Sequence, residues 1–105
     1  MAEKTVKQFT EPHPVVVPGK GGETTGARSF GWDVDTSYSG PRGTLFKKGT
    51  GFGHTGFTGT SVWVDPGTKT ALIVLTNRVH PDDKGNVTQL RREIGTIVAR
   101  AVGKK

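Results

Sequence analysis

At 105 residues the chain has room for one small domain or for part of a larger one. Fifteen Lys/Arg against nine Asp/Glu leave a net charge of +6, and the absence of cysteine excludes disulfide scaffolds, thiol nucleophiles, iron–sulfur clusters and Cys-ligated zinc. No apolar run approaches the ~18 residues of a bilayer span. Met1–Thr10 is too polar for a secretory signal, so a cytoplasmic location is expected if the chain is complete as given.

Ala2–Phe9 reads as a short helix with Val6 and Phe9 on one face, stopped by Glu11-Pro12-His13-Pro14. Pro18–Gly26 reads as a flexible loop, which makes residues 1–27 a poorly ordered arm. Phe30, Trp32 and Val34 alternate along Arg28–Asp35, a strand signal, and Thr36–Gly43 reads as a turn. Phe52–Phe57 and Thr60–Asp65 read as consecutive strands. Asp65-Pro66-Gly67 is a turn before the unbroken apolar run Thr70–Thr76, a pattern typical of a strand covered on both faces.

Beyond Pro81–Gly85, Val87, Leu90, Ile94, Ile97, Val98 and Ala101 trace one face of a helix. Asn86 is placed to cap it, with Gln89 completing a capping-box-like pattern, and Gly103 suits its end. Gly95 inside the helix costs about 1 kcal/mol relative to Ala, which points to close packing on the sheet. The expected fold class is α+β: residues 28–105 form a small antiparallel sheet of three to four strands with the C-terminal helix on one face. The second sheet face has no evident cover.

Gly51-Phe-Gly53-His-Thr-Gly56 matches G-x-G-x-x-G, but it precedes a strand rather than a helix, so no dinucleotide cofactor is expected. His13, His54 and His80 fit no zinc spacing, and His13 and His80 read as solvated loop residues. The sequon Asn86-Val87-Thr88 falls at a helix start and is not expected to be glycosylated. Arg91, Arg92, Arg100, Lys104 and Lys105 gather at the last helix, opposed only by Glu93. With no interleaved aromatic residue they read as a solvated face rather than a nucleic-acid surface. Ser-x-x-Lys is absent: three residues after Ser29, Ser37, Ser39 and Ser61 stand Trp32, Gly40, Arg42 and Val64. Gly-x-Ser-x-Gly is absent too, so no self-contained nucleophile and base are visible.

The run Gly53-His54-Thr55-Gly56-Phe57-Thr58-Gly59-Thr60-Ser61-Val62-Trp63-Val64-Asp65-Pro66 resembles the third motif region of serine hydrolases of the β-lactamase / penicillin-binding-protein superfamily. The likeness is closest to the class C β-lactamase-like and esterase branch. Leu75-Thr76-Asn77-Arg78-Val79-His80-Pro81 resembles that family's last strand and its exit into the C-terminal helix. Phe30-Gly31-Trp32-Asp33-Val34 resembles its Gly-Trp segment, and Thr5-Val6 with Phe9-Thr10 the short helix before it.

The resemblance implies that His54 and Thr55 bind the polar group of a substrate, that Gly56 leaves room for it, and that the Phe57 backbone amide is an oxyanion-hole donor. His54 stands where true β-lactamases carry Lys, which leans toward an esterase or peptidase-like relative. It also implies a parent reaction of acyl transfer to Ser followed by hydrolysis of a small ester or amide, without cofactor or metal. The Ser-x-x-Lys and Tyr motifs of that family have no counterpart here. The expected function is therefore the C-terminal segment of such a hydrolase, inactive alone, with an N-terminal hydrolase half acting in trans. The rival is a non-catalytic module that forms a homo-oligomer or pairs with another chain. Neither membrane nor nucleic acid is an expected partner.

Overall fold

The computed structural model describes residues 1–19, 21–36 and 38–103. Helix α1 (Glu3–Thr10) leads into strands β1 (His13–Gly19), β2 (Gly22–Arg28) and β3 (Asp33–Asp35). A 3-10 turn (Gly40–Arg42) precedes β4 (Phe52–Thr55), β5 (Ser61–Asp65) and β6 (Thr70–Val74), and helix α2 (Thr88–Ala101) closes the chain. The strands form one antiparallel meander in the order β1-β2-β3-β4-β5-β6. The class is α+β as expected, but among the described residues the sheet has six strands rather than three or four.

The additional strands come from residues 13–28, where a loop and arm were expected. Pro14 and Pro18 read as breakers in sequence. They are four residues apart, so their nitrogens face the same side of β1. Because β1 ends the strand order, one side needs no ladder donors, and an edge strand tolerates proline there. Gly21 and Gly22, with φ of 84° and 126°, turn the chain between β1 and β2. Lys20, within the expected loop, lies outside the described residues, as do Ser37, Lys104 and Lys105.

The core lies on one face of β5. Trp63 points inward between the inward-facing Ser61 and Asp65, while Val62 and Val64 take the other face. Phe46, Trp63 and Ala99 form the buried cluster, flanked by Leu45, Leu72 and Val98. Trp63 pairs with Leu72 across the β5–β6 ladder, so Leu72 and Val74 turn toward α2. Ile73 and Leu75 point the opposite way and are 64% and 78% exposed. The two-sided burial that the apolar run suggested is met on one face only.

Helix α2 docks through a narrower stripe than its apolar residues suggest. Gly95 and Ala99, one turn apart, are buried, and Ile94 and Val98 are half-buried. Leu90 and Ile97 of the expected face are exposed. A Cβ on Gly95 would meet Pro41 O, and would lie 2.9 Å from Gly43 N. At Gly95 the helix therefore rests on the backbone of the 3-10 turn, while Ala99 and Val98 pack against Trp63 and Leu72 of the sheet, so its smallest residues set the closest contact. Asn86 Oδ1 accepts the Thr88 N–H at 2.9 Å. Gln89 bonds Glu93 instead of reaching back, and the N-cap position falls on Val87 without a side-chain cap, so the expected capping box does not form. Among the described residues no helix is long and apolar enough to cross a membrane.

Candidate active site

The G-x-G repeat has a packing cause. A Cβ at Gly51 would stand 2.8 Å from Trp63 Nε1, and one at Gly53 2.5 Å from Trp63 Cε3. Both glycines make room for the buried indole, and β5 rather than a helix follows. No helix N-terminus is offered to a pyrophosphate here.

Strand β4 pairs along its length with β5, from Phe52↔Val64 to Thr55↔Ser61. On its other side it meets β3 at one pair alone, Asp33↔Gly53. Among the described residues the β3-side edge of β4 has no strand partner from His54 onward, although β4 lies in the middle of the strand order. His54 stands opposite Val62, which stands opposite Ile73, so these three side chains share the open sheet face. With Thr55, Gly56 and Leu75 they line a shallow depression of 370 Å³.

His54 is exposed, and its Nδ1 lies 2.7 Å from Thr55 O. A carbonyl only accepts, so Nδ1 carries the hydrogen and Nε2 is left facing solvent. Thr55 is half-buried at the end of β4. Gly56 follows, and a Cβ there would meet Thr60 Oγ1, so the bare backbone serves the turn itself. The Gly56 N–H donates to Thr60 O at 2.8 Å, and the Gly59 N–H donates to Gly56 O at 3.1 Å. Phe57, 70% exposed, sits at the tip. Among the described residues its N–H meets no acceptor.

Two arginines hold this turn from behind. Arg78 Nε donates to Phe57 O at 2.6 Å, and its guanidinium lies 4.2 Å from the centre of the Phe57 ring. Arg78 is itself anchored by Asp83 Oδ1 at 3.0 Å. Arg91 Nη2 donates to Gly56 O at 2.9 Å and to Thr60 O at 3.0 Å. Arg91 thus leaves the solvated basic face expected of it, while Arg92 and Arg100 remain exposed. Desolvation, and then the charge of Arg78, lowers its pKa from the ordinary guanidinium value. A basic run at a helix start carries no mark of which arginine turns inward; the tertiary fold alone shows it.

Beside the site, Asp33 is buried on β3. Arg28 Nε lies 3.0 Å from its Oδ1 without the alignment of a hydrogen bond. Burial raises the Asp33 pKa, against the lowering influence of Arg28 and His54. His13 and His80 are exposed and do not line the depression beside His54, and among the described residues no group of His, Asp or Glu is arranged to hold a metal.

A family model described as Beta-lactamase matches residues 1–96. The chain belongs to the beta-lactamase family. Comparisons with curated proteins and with solved structures found no match. Within this family chain the His54-Thr55-Gly56 segment, the free edge and the Phe57 amide lie together on one border of the sheet.

Proposed function

We propose that this chain supplies the third-motif edge of a serine hydrolase that cleaves a small ester or amide through an acyl-enzyme. The Phe57 N–H stabilises the oxyanion, and His54 and Thr55 bind the substrate's polar group. The single observation that carries this reading is the Phe57 N–H. It lacks an acceptor on a strand edge freed beyond Gly53, beside the side chains of the motif. A donor held by a fixed backbone stabilises a developing oxyanion without reorganising, and one such donor is worth roughly 2.7–4 kcal/mol. The nucleophilic Ser and its Lys come from outside these residues, since Ser-x-x-Lys is absent.

The test mixes the chain with a polypeptide of the same family carrying the Ser-x-x-Lys segment and follows p-nitrophenyl acetate. The chain alone gives no burst, and the mixture gives a burst with one acylated Ser by mass spectrometry. A burst from the chain alone, or none from a mixture shown to associate, refutes the reading.

The open face supports the second reading, an interaction module. Ile73 and Leu75 are exposed beside Val62, and contiguous apolar surface of this kind seeks a partner. A second copy of this chain or the nucleophile-bearing segment would cover it. The two readings differ in whether covering the face produces hydrolysis.

A further inference from the structure

We propose that Arg91 is the positioning residue that aims and acidifies the Phe57 amide. The inference rests on the oxyanion-donor reading and concerns how that donor is made effective. The Gly56 carbonyl and the Phe57 N–H belong to one peptide unit, and a trans peptide directs them to opposite sides. Arg91 Nη2 grips the oxygen end of that unit at 2.9 Å. The same nitrogen bonds Thr60 O at 3.0 Å, across the turn that Gly56 N–H and Thr60 O close at 2.8 Å. The peptide plane is therefore held at its carbonyl, and the N–H is fixed in the outward direction.

The bond does more than hold. A guanidinium is permanently charged, and hydrogen bonds to a charged group are about twice as strong as neutral ones. Among the described residues no carboxylate is paired with Arg91, so its charge acts on these two carbonyl dipoles. Half-burial of the side chain limits screening. Drawing electron density toward Gly56 O leaves the Phe57 N–H more positive and a stronger donor, the cooperative effect of linked hydrogen bonds. Arg78 grips the next carbonyl, Phe57 O, and so acts on the Thr58 peptide instead. The two arginines divide the turn, and the candidate donor belongs to Arg91.

Amide hydrogen exchange reads this property without nucleophile or substrate. Hydroxide removes the amide proton and leaves an anion whose charge spreads onto the carbonyl oxygen of the same peptide. A cation bonded to that oxygen stabilises the anion and speeds exchange. In the ¹⁵N-labelled chain, Arg91→Met is expected to slow base-catalysed exchange at Phe57 about tenfold, one unit of acidity or about 1.4 kcal/mol. Arg92→Met, which removes the same charge from an exposed position, leaves it unchanged. Arg91→Lys, which keeps a cation, falls between Arg91→Met and the parent chain. A purely structural role predicts the opposite sign, because a loosened turn exchanges no more slowly.

Unchanged or faster exchange at Phe57 in Arg91→Met overturns the proposal, as does equal slowing in Arg92→Met. Should Arg91→Met fail to fold, the parent chain decides. Its Phe57 N–H must exchange faster than that of an unstructured Gly-Phe peptide, and slower exchange overturns the proposal. The hydrolase reading fails separately: fast Phe57 exchange with no burst on reconstitution refutes the activity and leaves the role of Arg91 standing.

Discussion

In an exposed helix, replacing a glycine with alanine stabilises by about 1 kcal/mol, since alanine loses less backbone entropy. At Gly95 the sign should reverse. An ideal Cβ would stand 2.9 Å from Gly43 N and 3.1 Å from Arg42 C, and would also strike Pro41 O. All three are backbone atoms, so no side-chain rotamer relieves the contact. Ordinary contacts of this kind need about 3.5–4.0 Å, so α2 must retreat from the 3-10 turn by roughly 0.5–1 Å.

That retreat strains the Thr44 N–H bond to Thr96 Oγ1, now 3.0 Å, and opens space beside the buried Ala99. Overpacking of this order costs about 1–3 kcal/mol. After the gain of about 1 kcal/mol in helix propensity the expected net loss is about 0–2 kcal/mol, about 1 at the middle of the range. For a loss of about 1 kcal/mol and a urea slope of about 1–3 kcal/mol/M, the midpoint should fall by roughly 0.3–1 M. Equilibrium melts followed by circular dichroism measure it directly. A midpoint that rises in Gly95→Ala would show the helix undocked, and the account of the core would be wrong.

The exposed and docked faces of α2 give a second prediction. Half-burial of Ile94 brings the cost of Ile94→Ala to about 1–2 kcal/mol, below the ~2–5 of a fully buried site, whereas Ile97→Ala should stay within about 0.5 kcal/mol in the same melts. Asp33 supplies a pH dependence: burial raises its native pKa above the unfolded 3.8, so its favourable contribution is full below 3.8 and is lost as pH rises through the native value. The stability of the parent chain relative to Asp33→Asn should therefore decline as pH rises from about 4 through the raised native value, and a rising difference would contradict the assignment. Ile73→Lys and Leu75→Lys, on the open face, should lower self-association measured by sedimentation velocity without unfolding the chain. A parent chain that is monomeric at high concentration and binds no hydrophobic dye would remove the self-association reading.

Local periodicity carried the second half of the chain. Alternation placed Trp63 opposite Val62 and Val64, and Asp65-Pro66-Gly67 marked the hairpin that joins β5 to β6. The His54-Thr55-Gly56 pattern stood in the sequence too, because such a motif depends on residue type and spacing. Tertiary structure decided what depends on position in the sheet. Pro14 and Pro18 broke the local strand signal, yet the edge position of β1 leaves their missing donors without consequence. The helix face was read from apolar content, but Gly95 and Ala99 set the docked stripe because backbone approach requires small residues. Arg91 was indistinguishable from Arg92 as a charge on a helix. Only the fold brings the Gly56 and Thr60 carbonyls beneath its guanidinium, since they lie more than thirty residues away in the chain.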